Sequence, residues 1–256
     1  MGAEHSVADD SLATIATWLV EARPAVAFTG AGISTESGVP DFRSPGGVWS
    51  KSQPVMYDQF LASPAARQEY WRQKAIAHHD FATAEPNAAH TTLAGWEARG
   101  LLRGVITQNI DGLHQMAGSR HVLELHGTAR QIACLACGAR QVADPLVAQF
   151  ERTGEVPPCP LCGGLLKHAT ISFGQQLPTD VLEESSAWAR ECQLLLALGS
   201  SLVVHPAAGI PQLAKQAGAR LVIINRDPTP LDPLADLVIR SGLGQALTAI
   251  DARTAS

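Results

Sequence analysis

Thr29-Gly30-Ala31-Gly32-Ile33-Ser34-Thr35-Glu36-Ser37-Gly38-Val39-Pro40-Asp41-Phe42-Arg43 follows a short apolar run, Ala25-Val26-Ala27-Phe28. Such a run ending on a glycine pair has the form of a buried strand feeding a tight turn. Gly30 and Gly32 let the backbone turn sharply and approach a phosphate closely, as a dinucleotide site requires. The third glycine of G-x-G-x-x-G is absent, because position 35 is Thr. Gly38 comes next, and Pro40-Asp41-Phe42-Arg43 carries the segment onward. By itself, Gly-Ala-Gly after a strand is a weak signal that also marks ordinary turns.

The rest of the chain repeats the alternation. Leu12, Ile15, Ala16, Leu19 and Val20 recur at helical spacing, predicting an amphipathic helix over 11–22 that Arg23-Pro24 ends. Residues 44–62, with several Gly, Pro and Ser, read as a loop over a site. Ser63-Pro64 opens a helix to about residue 80, and another spans about 87–99 and stops at Gly100. Gly104-Val105-Ile106-Thr107 and His121–Leu125 read as strands. Leu194–Leu198 and Leu221–Ile224 are continuously apolar, as strands buried on both faces are, with a crossover helix over 207–217 between them. The class is therefore α/β: a Rossmann-like parallel sheet with a small metal module and a helical and loop insertion. The expected division is a core of 1–45, 88–130 and 168–256, an insertion over 46–87, and a metal module over 131–167.

With 256 residues, 46% of them hydrophobic and 17% charged, the chain can bury a full core. A net charge of −5, with no basic run interleaved with aromatics, argues against a nucleic-acid partner. No stretch has the length and apolarity of a membrane span, and the first twenty residues lack a signal-peptide pattern. The cytoplasm is the expected compartment.

Four of the five cysteines form two Cys-x-x-Cys pairs, Cys134/Cys137 and Cys159/Cys162, separated by 21 residues. Two knuckles so spaced can set four thiolates tetrahedrally around one zinc ion, the alternative being reduced thiols or a redox pair. With sulfur at all four positions no place is left for a reacting water, so the expected zinc is structural. Cys192, beside the apolar run 194–198, reads as a small buried residue.

Polar segments sit where these strands end. Thr107-Gln108-Asn109-Ile110-Asp111-Gly112-Leu113-His114 follows one, Leu125-His126-Gly127 another, Gly199-Ser200-Ser201 a third and Asn225 a fourth. Ligands of α/β proteins bind at such strand ends. Taken alone, Asn109 and Asp111 could cap a helix, Phe42 could be core, and His114 could rival His126.

Together with Thr29–Arg43 and the four cysteines, these segments resemble the sirtuins, NAD-dependent protein-lysine deacylases, over residues 11 to 250. The resemblance implies an acyl-lysine whose acyl oxygen attacks the anomeric carbon of the nicotinamide ribose. Nicotinamide leaves and O-acyl-ADP-ribose forms, through an oxocarbenium-like transition state. It implies that His126 is the base and that Asn109 orients ribose and water. NAD would be held by Gly30, Ala31, Gly32, Ser34, Thr35, Phe42, Arg43, Gln108, Asn109, Ile110, Asp111, Gly199, Ser200, Ser201, Asn225 and Leu243. Asp111 would hold the nicotinamide carboxamide.

Ile171, Phe173 and Gly174 would form one wall of the cleft for an acylated protein substrate, with Val203 and Val204 opposite. Gln175 stands where sirtuins commonly carry glutamate. Succinyl-removing members carry a Tyr with an Arg three residues on; here Tyr70 is followed by neutral Gln73, while Arg72 lies about 100° away around the helix. That pattern implies a tunnel without a cation and a preference for neutral acyl groups. Mono-ADP-ribosyl transfer shares the cleavage step and is the alternative function; oligomeric state is not legible.

Overall fold

The computed structural model describes residues 2–41 and 53–254, and of residues 2–9 and Asp80 the backbone alone. Phe42 and Arg43 thus lie outside the described residues. Nine strands are described: β1 Ala25–Thr29, β2 Val105–Thr107, β3 Val122–Glu124, β4 Gly127–Cys134, β5 Arg140–Val142, β6 Leu166–Thr170, β7 Leu194–Leu198, β8 Arg220–Ile224 and β9 Leu237–Ile239.

Six of them form one sheet in the order β3-β2-β1-β7-β8-β9, with every neighbouring pair parallel. Strands β1 and β7 are buried along their whole length, which explains their unbroken apolar sequences. Alternate residues serve opposite faces. Ala25, Ala27, Leu194, Leu196 and Leu198 pack with helices Gly2–Glu21, Ala88–Ala98 and Leu243–Thr254. Val26, Phe28, Leu195 and Ala197 pack with helices Thr179–Glu191 and Gly209–Gln216. The chain winds one way from β1 to β3 and the other way from β7 to β9. The direction reverses between β1 and β7, where such sheets open a crevice at their carboxyl ends.

Caps sit where expected. Ser63 Oγ accepts the Ala66 amide at 3.3 Å at the start of helix Pro64–Ala82. Asn87 Oδ1 accepts the Ala89 amide at 2.9 Å, and its Nδ2 donates to Ile33 O at 2.8 Å, tying that helix to the glycine turn. Two boundaries differ from the sequence reading. The first helix begins at Gly2, because periodicity marks only the packed part from Leu12 onward. The expected 44–62 loop contains a helix, Tyr57–Ala62, anchored by the buried Phe60 and by Gln59 Oε1 accepting the Met56 amide at 3.1 Å. A single apolar anchor leaves no periodic signal.

Strands β5-β4-β6 form a second, antiparallel sheet. It shares one core with the helical insertion: Phe60, Tyr70 and Trp71 pack with Ile132, Val147, Phe150 and Leu166. Trp71 Nε1 also donates to Leu166 O at 3.1 Å. The strands of this sheet start at Gly127 and end at Thr170, beyond the cysteines on both sides.

Gly127 joins the two sheets with φ of 68°, and a Cβ there would lie inside the contact distance of the Ala169 carbonyl oxygen. Gly154 has nearly the same φ, 69°, but open space around it. Gly127→Ala should therefore cost about 2–5 kcal/mol, from strain plus overlap, against about 1 kcal/mol for Gly154→Ala. Thermal unfolding of the two variants checks this; equal melting temperatures would contradict it.

Candidate functional site

A cavity of about 1640 Å³ opens at the carboxyl ends of the main sheet. The glycine turn borders it after β1, and Gly199-Ser200-Ser201 borders it after β7. These two segments touch. Gly32 N–H donates to Gly199 O at 2.8 Å, and a Cβ on Gly32 would meet Gly199 Cα at 2.8 Å. A Cβ on Gly30 would meet Ser200 Cβ at the same 2.8 Å. Gly199, with φ of 61°, has no room for a Cβ against Ile33 N and Gly32 C. The glycines are thus required by the packing of one loop on the other, before any ligand arrives.

His126 follows β3, half-buried on the cavity wall. Its carbonyl accepts the Ile171 amide at 2.8 Å, so β6 and the segment after it hold its backbone. Nδ1 lies 2.9 Å from Gln108 O. A carbonyl can only accept, so Nδ1 carries the proton and Nε2 is the basic nitrogen of the neutral ring.

Asn109 is nearly buried and sits in a polar network. Its amide donates to Thr107 Oγ1 at 3.0 Å, and its Nδ2 donates to Ser34 Oγ at 3.0 Å. Ser34 Oγ donates in turn to Asp111 Oδ2 at 2.7 Å, and Asp111 Oδ1 accepts the Leu113 amide at 3.0 Å. Thr29 Oγ1 donates to Thr107 Oγ1 at 2.8 Å and lies 2.9 Å from His114 Nε2. His114 is therefore occupied inside the fold, as a structural histidine. Burial, followed by the neighbouring His90, pushes its imidazole down to about 3.

Most of the sequence-predicted residues converge. Gly30, Ala31, Gly32, Thr35, Gln108, Asn109, Ile110, Gly199, Ser200, Ser201, Asn225 and Leu243 line the cavity, as do Ile171, Phe173, Gly174 and Val204. Three do not. Ser34 and Asp111 are buried behind the lining and bonded to each other. Val203 is exposed outside it, because Leu202 takes a left-handed φ of 54° and buries its own side chain instead.

Several lining residues have no role in the sequence reading. Glu36 Oε1 accepts the Gly244 amide at 3.1 Å, and Arg240 Nη1 donates to Asn225 O at 3.0 Å. Helix Pro64–Ala82 supplies Tyr70, Arg72, Gln73, Lys74, Ile76, Ala77 and Phe81. Of these, Tyr70, Gln73, Lys74, Ala77 and Phe81 share one helix face, which could have been read as such. Lys74 and Arg72 both line the cavity, so this helix brings two cations to it, although the sequence reading counts none for the tunnel and turns Arg72 away.

Away from the cavity, the four cysteine sulfurs all lie within 4.8 Å of one another. Cys134 and Cys162 are 3.5 Å apart, and Cys137 and Cys159 are 3.8 Å apart. A tetrahedron with zinc–sulfur bonds of about 2.3 Å has sulfurs about 3.8 Å apart, so the set fits zinc. Amides of Ala136 and Gly164 point at Cys134 and Cys162 Sγ, each at 3.4 Å, as donors do toward thiolates.

The purified protein should contain one zinc per chain, and Cys159→Ser should lose it and melt roughly 10 °C or more lower. A zinc-free wild type, or an unchanged melting temperature, would contradict the assignment. The buried histidines generate a second expectation. Burial also lowers His90 and pushes His168 well below its ordinary value. Below the unfolded value near 6.5, the unfolded chain binds protons that the folded chain refuses, so stability falls with pH. For His114 alone the loss is about 2 kcal/mol by about pH 5. Melting temperature measured between pH 7 and 5 should drop, with a flatter slope in His114→Gln; equal slopes would sink this account.

The Sir2 family model matches residues 30–206. The NAD-dependent protein deacetylase of Rhodopseudomonas palustris is 49% identical over 231 residues, covering 90% of this chain and 91% of that protein. A solved Sir2 structure with p53 peptide and NAD+ matches at TM-score 0.86 and 36% identity, over 95% of this chain and 98% of that one. Another, with a deacetylated p53 peptide and 3'-O-acetyl ADP-ribose, matches at TM-score 0.85 and 37% identity, over 93% and 96% of the two chains. With the switch-point cavity, the glycine turn and the four-sulfur site in place, the chain belongs to the Sir2 family.

Proposed function

We propose that this chain removes acyl groups from lysine in proteins, consuming NAD and releasing nicotinamide and an O-acyl-ADP-ribose. The observation that carries the reading is His126. Its proton is held on Nδ1 by the Gln108 carbonyl, and the ring stands where the switch-point cavity meets the Ile171–Gly174 edge. Its Nε2 is the acceptor for the proton of a ribose hydroxyl. Asn109 orients ribose and water, and its side chain is fixed for that by Ser34 and Asp111. Asp111 acts from behind the lining, and direct contact with the nicotinamide carboxamide would add to the bonds it already makes.

Phosphates lie along Gly30–Gly32 and Ser200-Ser201, with Thr35, Gln108, Ile110 and Gly199 around them. Asn225 and Leu243 take the adenosine end. An extended acyl-lysine peptide lies along Ile171, Phe173 and Gly174, facing Val204, and adds a strand to that edge. Zinc at the four cysteines holds the smaller sheet and takes no part in the chemistry. Thiolate ligands suit a reducing compartment, the cytoplasm.

Mono-ADP-ribosyl transfer is the weaker reading, since the relative holding O-acetyl ADP-ribose beside a deacetylated peptide captures the acyl-transfer outcome. Nicotinamide release measured with and without an acetyl-lysine peptide separates the two. Release should depend on the peptide and match deacetylation one for one. His126→Ala should lose about 100-fold or more while keeping its zinc and melting temperature. Release without peptide, with ADP-ribose appearing on protein, would favour the alternative; near wild-type turnover by the variant would sink the mechanism.

A further inference from the structure

Four acids line the cavity among the described residues: Glu36, Asp41, Glu183 and Asp227. Three of them are engaged. Glu36 accepts the Gly244 amide at 3.1 Å, Asp227 holds Arg226 at 2.9 Å, and Asp41 acts on the same Arg226 charge. Glu183 has neither a hydrogen bond nor an ion pair among the described residues. On helix Thr179–Glu191 its neighbours one turn away are Thr179, Asp180, Ser186 and Ala187, so its own helix offers it no cation.

The walls around it are neutral. From Ile171 to Leu177 the chain carries no charged side chain. Gln175 is folded back onto its own turn: Oε1 accepts the Ser172 amide at 3.2 Å, and its backbone N–H donates to Ser172 O at 3.0 Å. An amide thus stands where a carboxylate would add charge. From the other loop Val204 and Pro206 are apolar, and His205 is the one titratable group. Leu177 and Leu182 line the cavity next to Glu183 and pack on the core. A single charge between apolar walls is screened less than one in open water, and its field reaches along the cleft.

Glu183 belongs to the same end of the cavity as His126. Leu182, the residue before it, packs in one cluster with Leu125, the residue before His126. Ile171, whose amide donates to His126 O, begins the run that leads through Gly174 and Gln175 to this helix. We propose that Glu183 is a specificity-determining residue that receives the cationic side chain of a lysine or arginine flanking the acyl-lysine in the substrate protein. This rests on the deacylase reading and adds to it a choice among proteins, which main-chain pairing along Ile171–Gly174 does not make. Gln175 and Gln176 bring no charge, so the choice falls to this one carboxylate.

The test uses the full chain, NAD and acetyl-lysine peptides with Arg, Gln or Glu placed in turn at each flanking position, at about pH 8, where an ordinary imidazole is neutral. Wild type is compared with Glu183→Gln and Glu184→Gln. Glu184 is exposed and lies next along the helix but not on the cavity, so its replacement removes the same charge without touching the cleft. At one flanking position or more, wild type should favour Arg over Glu about fivefold or more in kcat/KM, through KM, and less so at high salt. Glu183→Gln should bring that ratio to within about twofold of one, while Glu184→Gln keeps it. A wild-type ratio near one at every position, a ratio unchanged in Glu183→Gln, or an equal fall in both variants overturns the proposal. If no acetyl peptide is turned over, the deacylase reading fails instead. Fluorescence anisotropy of the labelled Arg- and Glu-flanked peptides then decides on Glu183: tighter binding of the Arg peptide that Glu183→Gln removes supports it, and equal binding overturns it.

Discussion

Everything at the cavity depends on how closely two backbones approach at the reversal between β1 and β7. Gly30 and Gly32 on one side and Gly199 on the other leave no space for a single methyl group. Two strands side by side in a parallel sheet send their next residues over the same edge, and side chains there would force the loops apart. Removing them lets Gly32 N–H reach Gly199 O directly. The result is a floor of main chain beneath the cavity, flat enough for a phosphate to approach. Asn87 extends the constraint by fastening Ile33 and Ser37 from the start of its helix.

The second requirement is that polar groups behind this floor be satisfied without water. Thr29 and Thr107 are neighbours in paired strands, and their hydroxyls bond to each other across the sheet. His114 joins at one end and the Asn109 amide at the other. Ser34 and Asp111 complete the arrangement around the Asn109 side chain. Buried networks of this kind hold a side chain in one orientation, but each member lost leaves another unpaired. The same burial keeps His114 neutral.

Much of this was legible in the chain. Strand β7 declares itself through Leu194–Leu198, because a strand covered on both faces must be apolar throughout. Cys134, Cys137, Cys159 and Cys162 announce their convergence by spacing alone. Motif residues at strand ends were legible as lining for the same reason: a parallel sheet brings all its carboxyl ends to one edge. What sequence hid was depth and direction. Ser34 and Ala31 lie in one turn, yet Ala31 lines the cavity while Ser34 is fully buried behind it. Val203 turned outward because of a single left-handed residue before it, which no periodicity marks. Strands β4 to β6 were obscured by cysteine knuckles and glycines that break alternation.

The four-cysteine site lies away from the cavity, but it is mechanically connected to it. Cys134 closes β4 at one end, and Gly127, beside His126, opens it at the other. Across the ladder, β6 runs from Leu166, opposite Cys134, to Thr170, opposite Gly127. Trp71 packs on this sheet and donates to Leu166, so the helix carrying Lys74 is fixed to the same two strands. A zinc ion held by the four cysteines would clamp one end of a short ladder whose other end adjoins His126 and Ile171. An ion with no open coordination position would thus bear on the cavity through eight residues of strand rather than through charge.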